Sequence, residues 1–180
     1  PGKPVFIYGH SLGGLITSFH LLDEQDSFKG AIISAAGVKV PENISGTTVI
    51  MGKVLSVLAP KAGILGLDTN YLSHDKAVVD TYNADPLVFH GKTPARLAAE
   101  MLRAMMRVSA EAGKITLPVF IFHGGGDKIV DPAASIMLNE KISSKDKSFK
   151  IYEGDFHEVH NEFDREVMFK NLEEWLAAHV

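Results

Sequence analysis

The sequence predicts an α/β fold with a mostly parallel sheet flanked by helices. Four short runs of apolar and β-favouring residues indicate buried strands, at 5–8, 31–34, 119–123 and 149–152. Helical patterns lie between these runs, and such alternation favours parallel strands joined by helical crossovers. The chain has 180 residues, of which 46% are hydrophobic, and can therefore bury one substantial core.

Three helices are predicted around this sheet. The first follows strand 5–8 and covers about residues 12–22. Another follows Asp131 and Pro132, because proline suits the first turn of a helix. The last begins after Asp164, a residue type that caps helix N-termini, and has apolar residues at helical spacing. These residues are Val167, Met168, Leu172, Trp175 and Leu176.

Residues 38–114 interrupt the alternation and are too many for an ordinary connection between a strand and a helix. The segment contains an apolar stretch at 49–58 and a helical pattern at 97–108, which Thr93 and Pro94 precede. We therefore predict a helical cap over the strand ends, with the core built from 1–37 and 115–180. A helical subdomain that only completes the core is the alternative. The methionines at 101, 105 and 106 fit either ordinary packing or the wall of an acyl pocket.

The sequence Gly9-His10-Ser11-Leu12-Gly13 joins the first strand to the first helix. Glycines two positions before and after the serine are expected to relieve clashes in a sharp turn. Such a turn exposes the Ser11 hydroxyl above the sheet and directs the helix N-terminus at a developing oxyanion. Ser11 is therefore a candidate nucleophile. A tight strand-to-helix turn without catalytic function is the alternative.

A serine nucleophile needs a base within reach and a third group that orients the base. Asp127 follows strand 119–123 and His157 follows strand 149–152, so both lie where parallel strands end at one edge of the sheet. The order serine, acid, histidine is the chain order of α/β-hydrolases. Two alternatives remain at this point. Asp127 could cap the next helix, although Asp131 is better placed for that, and His160 competes with His157 for the role of base.

Composition excludes several other functions. A net charge of −4 without a long Lys/Arg cluster disfavours nucleic acid as a main partner. The absence of cysteine excludes disulfides and thiolate zinc sites. Residues 157–160 are one residue short of the H-E-x-x-H motif, so we expect no metal and no cofactor.

No stretch approaches the ~20 apolar residues of a membrane span, and no signal peptide is visible. We expect a cytoplasmic protein, with the cap as a candidate surface for peripheral membrane contact.

Stretches distributed over nearly the whole chain resemble the monoacylglycerol lipases, in the α/β-hydrolase group that also holds lysophospholipases. The matching stretches are 6–14, 117–130 and 152–162, with a cap stretch at 72–88. The resemblance implies an α/β-hydrolase fold with a cap insert. It also implies that Ser11, Asp127 and His157 take the positions of nucleophile, acid and base, and that the backbone N–H of Leu12 is an oxyanion donor.

The resemblance further implies a serine hydrolase that cleaves monoacylglycerol, a small lipid ester, to fatty acid and glycerol. A lysophospholipase or a broad carboxylesterase would use the same triad, and a non-catalytic fragment or binding module would keep the fold without the chemistry. Family members carry several strands before the serine turn, and a His-Gly loop there supplies a second oxyanion donor. Neither feature is present in this sequence, so we expect it to be the C-terminal part of a hydrolase.

Overall fold

A parallel sheet forms the centre of the protein in the computed structural model, which describes residues 2–41 and 45–180. Within these ranges the sheet has four strands: β1 (Phe6–His10), β2 (Gly30–Ser34), β5 (Val119–Gly124) and β6 (Lys147–Tyr152). Their order is β1-β2-β5-β6, and every neighbouring pair is parallel. The predicted α/β architecture is therefore confirmed, and each predicted strand lies within or overlaps an observed one.

The inner strands β2 and β5 are buried along their whole length, whereas β1 and β6 are only partly buried. The prediction of four buried strands is thus wrong for the outer two, because within the described residues each has a neighbouring strand on one side only. Alternate residues of the inner strands point to opposite faces of the sheet. Ile33 and Ile121 belong to one hydrophobic cluster, and Ile32 and Phe122 belong to the other.

Helices α1 (Leu12–Leu21) and α5 (Ala133–Lys141) contribute to the first cluster, and α6 (Arg165–His179) contributes to the second. Asp131 accepts a hydrogen bond from the N–H of Ala133 at the start of α5 (2.9 Å). The Asp164 side chain makes no capping hydrogen bond at the start of α6, contrary to the prediction. None of the helices in the described ranges combines the length and apolarity needed to cross a membrane.

Between β2 and β5 the described chain forms three α-helices, a short antiparallel pair of strands, and two single-turn 3-10 helices at Thr69–Tyr71 and Ala112–Lys114. In chain order the α-helices and strands are α2 (Gly46–Leu58), β3 (Gly63–Leu65), α3 (Lys76–Ala84), β4 (Thr93–Pro94) and α4 (Ala95–Glu111). Both apolar stretches of the predicted cap, 49–58 and 97–108, are helical, whereas α3 and the β3–β4 pair were not predicted. Residue 1 of the predicted core and residues 42–44 of the predicted cap lie outside the described residues.

Helices α2 and α4 differ in how they use their apolar residues. Helix α4 packs on the core, since Val108 is fully buried and Met101 and Met105 contact the first cluster. The guanidinium of Arg107 donates two hydrogen bonds to the carboxylate of Asp23, at 2.9 and 2.6 Å, and so ties α4 to the end of α1. Helix α2 instead leaves most of its large apolar side chains exposed to solvent, at positions 50, 51, 54, 55, 57 and 58.

Candidate active site

Ser11 occupies a strained turn between β1 and α1. Its backbone angles are φ 55° and ψ −118°, in a region that costs a non-glycine residue about 1–3 kcal/mol. The turn is held in place by a hydrogen bond from the N–H of Ser11 to the carbonyl oxygen of Ser34 at the end of β2 (2.9 Å). Such strain is maintained only where the surrounding structure enforces it, and it is typical of a serine presented for attack.

The glycines around Ser11 do not all have the role that the motif suggests. A Cβ on Gly9 would overlap the carbonyl oxygen of Gly13 and the hydroxyl of Thr17. A Cβ on Gly14 would lie 2.7 Å from the Cβ of Ala36. A Cβ on Gly13 would meet nothing within 4 Å among the described atoms. The expected clash relief therefore holds for Gly9 and is wrong for Gly13, and Gly14 is the second position that must stay small.

The structure brings the predicted acid and base together. The Nδ1 atom of His157 lies 2.6 Å from Oδ2 of Asp127, and both side chains are buried. Asp131, the rival acid, is exposed at the start of α5 and forms an ion pair with Lys39 (3.3 Å). Nδ1 of His160, the rival base, is buried and has no hydrogen-bond partner within the described part of the chain. The geometry favours Asp127 and His157 over both alternatives.

The Asp127 carboxylate accepts hydrogen bonds at both oxygens. Oδ1 accepts from the backbone N–H groups of Ile129 (2.7 Å) and Val130 (3.0 Å), and Oδ2 contacts both His157 and His123. Burial by itself raises the pKa of this carboxyl group, but the hydrogen bonds from His123 and His157 outweigh burial and hold the pKa well below its usual value. Asp127 is therefore a fixed anion at neutral pH.

Because Asp127 is ionised, His157 must donate its Nδ1 hydrogen to it. The second ring nitrogen, Nε2, is then an acceptor in the neutral imidazole, which is the state a general base requires.

His10, the neighbour of Ser11, links the serine turn to the base. Its ring centroid lies 4.7 Å from that of His157 and 4.9 Å from that of His160. Its Nδ1 is hydrogen-bonded to Oγ of Ser34 (3.0 Å). Burial, and then the proximity of His157, lower the pKa of His10 to about 3, so this ring is neutral at physiological pH. His10 therefore packs between the serine turn and the two histidines of the 157–160 loop.

The loop that carries His157 is also anchored to the insert. The N–H of His157 donates to the carbonyl of Tyr71 (3.3 Å), and the N–H of Glu158 donates to that of Leu72 (2.8 Å). Glu162, which is buried, accepts hydrogen bonds from the N–H and Nδ1 of His74. No local sequence signal reveals these anchors, because the partners are more than 80 positions apart.

Asp155 lies in the same loop, with its Oδ2 buried and without a hydrogen-bond partner in the described residues. Burial raises the pKa of this carboxyl group to about 6, and the negative charges of Asp164 and Glu162 add to the effect. Sequence reasoning did not single out this residue. A buried carboxyl group beside two others makes the loop sensitive to pH.

Leu12 is the first residue of α1, so its N–H is one of those at a helix N-terminus that have no partner inside the helix. This position suits an oxyanion donor next to Ser11 and leaves the predicted role of Leu12 in place. Among residues 2–41 and 45–180 there is no cluster of three or more side chains that could hold a metal ion.

Comparisons with known proteins show which family this chain resembles. The family described as serine aminopeptidase, S33 (Hydrolase_4) matches residues 1–164. The monoacylglycerol lipase of Mycolicibacterium smegmatis is 31% identical over 180 residues, which cover all of this chain and 64% of that protein. Human monoglyceride lipase is 32% identical over 183 residues, which cover all of this chain and 60% of that protein. The chain thus spans less than two thirds of the length of these relatives.

Solved structures give the same result. The Paleococcus ferrophilus monoacylglycerol lipase superposes with a TM-score of 0.89 at 29% identity, covering 99% of this chain and 70% of that one. A soluble variant of the Saccharomyces cerevisiae monoglyceride lipase, solved with a substrate analog, gives 0.84 at 25% identity over 99% of this chain and 63% of that one. The predicted resemblance to monoacylglycerol lipases is confirmed. The chain has the α/β-hydrolase fold and belongs to the Hydrolase_4 family, serine aminopeptidase, S33.

Proposed function

We propose that the protein is a serine esterase that hydrolyses monoacylglycerol to a fatty acid and glycerol. The observation that carries the proposal is the 2.6 Å hydrogen bond between buried Asp127 and His157, beside a strained turn that carries Ser11. The relatives named monoacylglycerol or monoglyceride lipase support the choice of substrate. The yeast structure with a substrate analog supports a lipid ester as ligand.

In the proposed reaction, Oγ of Ser11 attacks the ester carbonyl carbon while Nε2 of His157 takes the hydroxyl proton. The bond between the carbonyl carbon and the glycerol oxygen then breaks, and the imidazolium returns the proton to that oxygen. Asp127 stabilises the imidazolium through its hydrogen bond to Nδ1. A water molecule attacks the acyl-enzyme with the help of the same base, which releases the fatty acid and regenerates the serine.

The negative charge that develops on the carbonyl oxygen needs hydrogen-bond donors in place before the reaction. We assign one of these donors to the N–H of Leu12, at the start of α1. The partial positive charge of the helix N-terminus adds to this stabilisation. The reaction requires no cofactor.

The exposed apolar side chains of α2 support a contact with lipid surfaces. Met51, Val57 and Leu58 are 71, 72 and 78% exposed, and Ile64 and Leu65 of β3 extend the same apolar segment. Residues 46–67 contain two lysines and no acidic residue, so the segment suits an anionic lipid surface. We propose that the insert acts as a cap that touches membranes from the cytoplasmic side and admits the acyl chain.

The test of the proposed function uses the full-length protein with a fluorophosphonate probe and with two lipids of equal acyl length. We expect wild-type protein to be labelled and to release fatty acid from monoacylglycerol faster than from lysophosphatidylcholine. Ser11→Ala should lose labelling and activity but keep its Tm, because the hydroxyl lies in a turn and its removal opens no core cavity.

Faster hydrolysis of lysophosphatidylcholine would favour a lysophospholipase. Equal rates on many esters would indicate a broad carboxylesterase. Absence of both labelling and hydrolysis would contradict the proposal and favour a non-catalytic module.

A further inference from the structure

His123 is a buried histidine that the mechanism above does not use. It lies on β5, four residues before Asp127, and its side chain is completely inaccessible to solvent. Its Nε2 lies 2.9 Å from Oδ2 of Asp127 and 3.1 Å from the carbonyl oxygen of Val130. Its Nδ1 lies 2.7 Å from Oγ of Ser135 on α5. The catalytic acid is therefore in contact with two histidines, and both meet the same oxygen.

The partners of His123 determine where its hydrogen lies. A carboxylate and a carbonyl both accept hydrogen bonds, so Nε2 must carry the hydrogen and donate it. In the neutral ring Nδ1 is then an acceptor, and the hydroxyl of Ser135 donates to it. His123, Asp127 and Ser135 are buried, so an alternative orientation of the ring would leave at least one buried group without a partner, at a cost of about 1–3 kcal/mol. The ring is fixed from both ends.

We propose that His123 is a positioning residue of the esterase, acting through Asp127. Its Nε2–H holds the carboxylate in the orientation that directs Oδ2 at His157. The negative charge of Oδ2 then interacts with two histidines, whereas without His123 it would interact with His157 alone. The inference rests on the proposed function, because it concerns the same site. His123 itself touches neither substrate nor the reacting atoms.

The loss of His123 has a defined electrostatic consequence. A carboxylate that loses a donor becomes more basic and binds a proton, or an imidazolium, more strongly. Both changes move the acidic limb of the kcat/KM profile to higher pH. The titratable groups near the base include His10, which packs on His157, and His160, which interacts electrostatically with His157. Asp131, paired with Lys39, follows Val130 in the chain. None of these four side chains is a hydrogen-bond donor to Asp127 in the described residues, so none replaces the lost hydrogen bond.

The test compares four variants of the full-length protein on a monoacylglycerol. His123→Leu removes the donor, and His123→Asn keeps an amide that is too short to reach Asp127. Both variants should lower kcat about tenfold or more with little change in KM. Both should also move the acidic limb of the kcat/KM profile to higher pH. His123→Gln has an amide nitrogen that reaches about as far as Nε2. Its kcat should lie within about threefold of wild type, and the acidic limb of its kcat/KM profile should lie at the wild-type pH. Ser135→Ala removes the partner of Nδ1 and leaves the Nε2 contact in place. We therefore expect its kcat to lie between those of wild type and His123→Leu.

Three results would overturn the inference. The first is that the Leu and Asn variants both keep wild-type kcat and pH profile. The second is an equal loss in the Asn and Gln variants, which would indicate that His123 matters only for packing. If the His123→Leu variant does not fold, the comparison of His123→Asn with His123→Gln is sufficient to test the inference. The third is a wild-type protein that neither hydrolyses esters nor reacts with the fluorophosphonate, which refutes the proposed function and the inference with it.

Discussion

Replacing Asp127 with asparagine tests the assignment of the acid most directly. The two carboxylate oxygens accept four hydrogen bonds, two from backbone N–H groups at Oδ1 and two from histidines at Oδ2. An asparagine has one oxygen and one NH₂ group, so its NH₂ must face one of these pairs of donors. The backbone N–H groups of Ile129 and Val130 cannot change from donor to acceptor. The NH₂ group must therefore take the Oδ2 position, opposite His157.

This orientation determines the state of the base. His157 can accommodate an NH₂ group only by accepting with Nδ1, which moves its own hydrogen to Nε2. The nitrogen that faces Ser11 in the proposed mechanism is then a donor and cannot take the serine proton. In a serine protease the same change lowers kcat about 10⁴-fold, which corresponds to about 5 kcal/mol in the activation barrier. We expect a loss of this size here, with Tm lowered by only a few degrees.

The assay is fatty-acid release from monoacylglycerol by the full-length protein, with Asp131→Asn as the matched control. Asp131 is exposed, and its contacts are a cap at Ala133 and a surface ion pair. Surface pairs contribute at most about 1 kcal/mol, so this variant should keep nearly all of its kcat. A kcat above about a tenth of wild type for Asp127→Asn would refute the tautomer argument. A large loss for Asp131→Asn would transfer the role of acid to that residue.

Three further predictions concern the base, the pH response and the cap. His157→Ala should lose about 10⁴-fold or more in kcat whereas His160→Ala should lose far less, and the reverse result would exchange their roles. Burial raises the pKa of Asp155 to about 6, so the folded state favours the protonated carboxyl group. The stability that this group contributes is complete below about pH 4 and is lost as the pH rises through 6. Asp155→Asn should therefore exceed wild type in Tm by a margin that grows from pH 4 to pH 8, and a margin independent of pH would contradict this. Leu58→Ser should weaken binding to anionic vesicles up to about tenfold, and the control Val167→Ser on α6 should not.

The sheet and the proximity of Asp127 to His157 could be predicted from the sequence because their signals are local. Short apolar runs identify strands, and a polar residue placed just after such a run is at the edge where parallel strands end. Asp127 and His157 could therefore be located without knowledge of any contact. Helix α3 and the strands β3 and β4 were missed, since their residues are mostly polar or exposed and give little periodicity.

The close contacts around the serine turn could not be predicted in the same way. The motif suggested Gly13, but the contact that excludes a side chain is between Gly14 and Ala36, which are 22 positions apart in the sequence. No sequence motif marks His123 as more than a structural or surface histidine. The role proposed for it rests on its two partners at Nε2 and one at Nδ1, and these depend on how β5 packs against α5.

The anchors of the catalytic loop limit how the insert can move. Backbone hydrogen bonds join Tyr71 and Leu72 to the residues at 157 and 158, and buried Glu162 binds His74 on the same segment. We therefore expect that a motion of that segment would disturb the loop that carries His157, the proposed base. Helix α4 is likewise packed on the core through Val108, Met101 and Met105. The segment before β3 is also bound to the start of α4, because the N–H groups of Ala95 and Arg96 donate to the carbonyls of Ala62 and Pro60. If the insert opens without disturbing the proposed triad, we therefore expect the motion in α2, where most of the large apolar side chains are exposed.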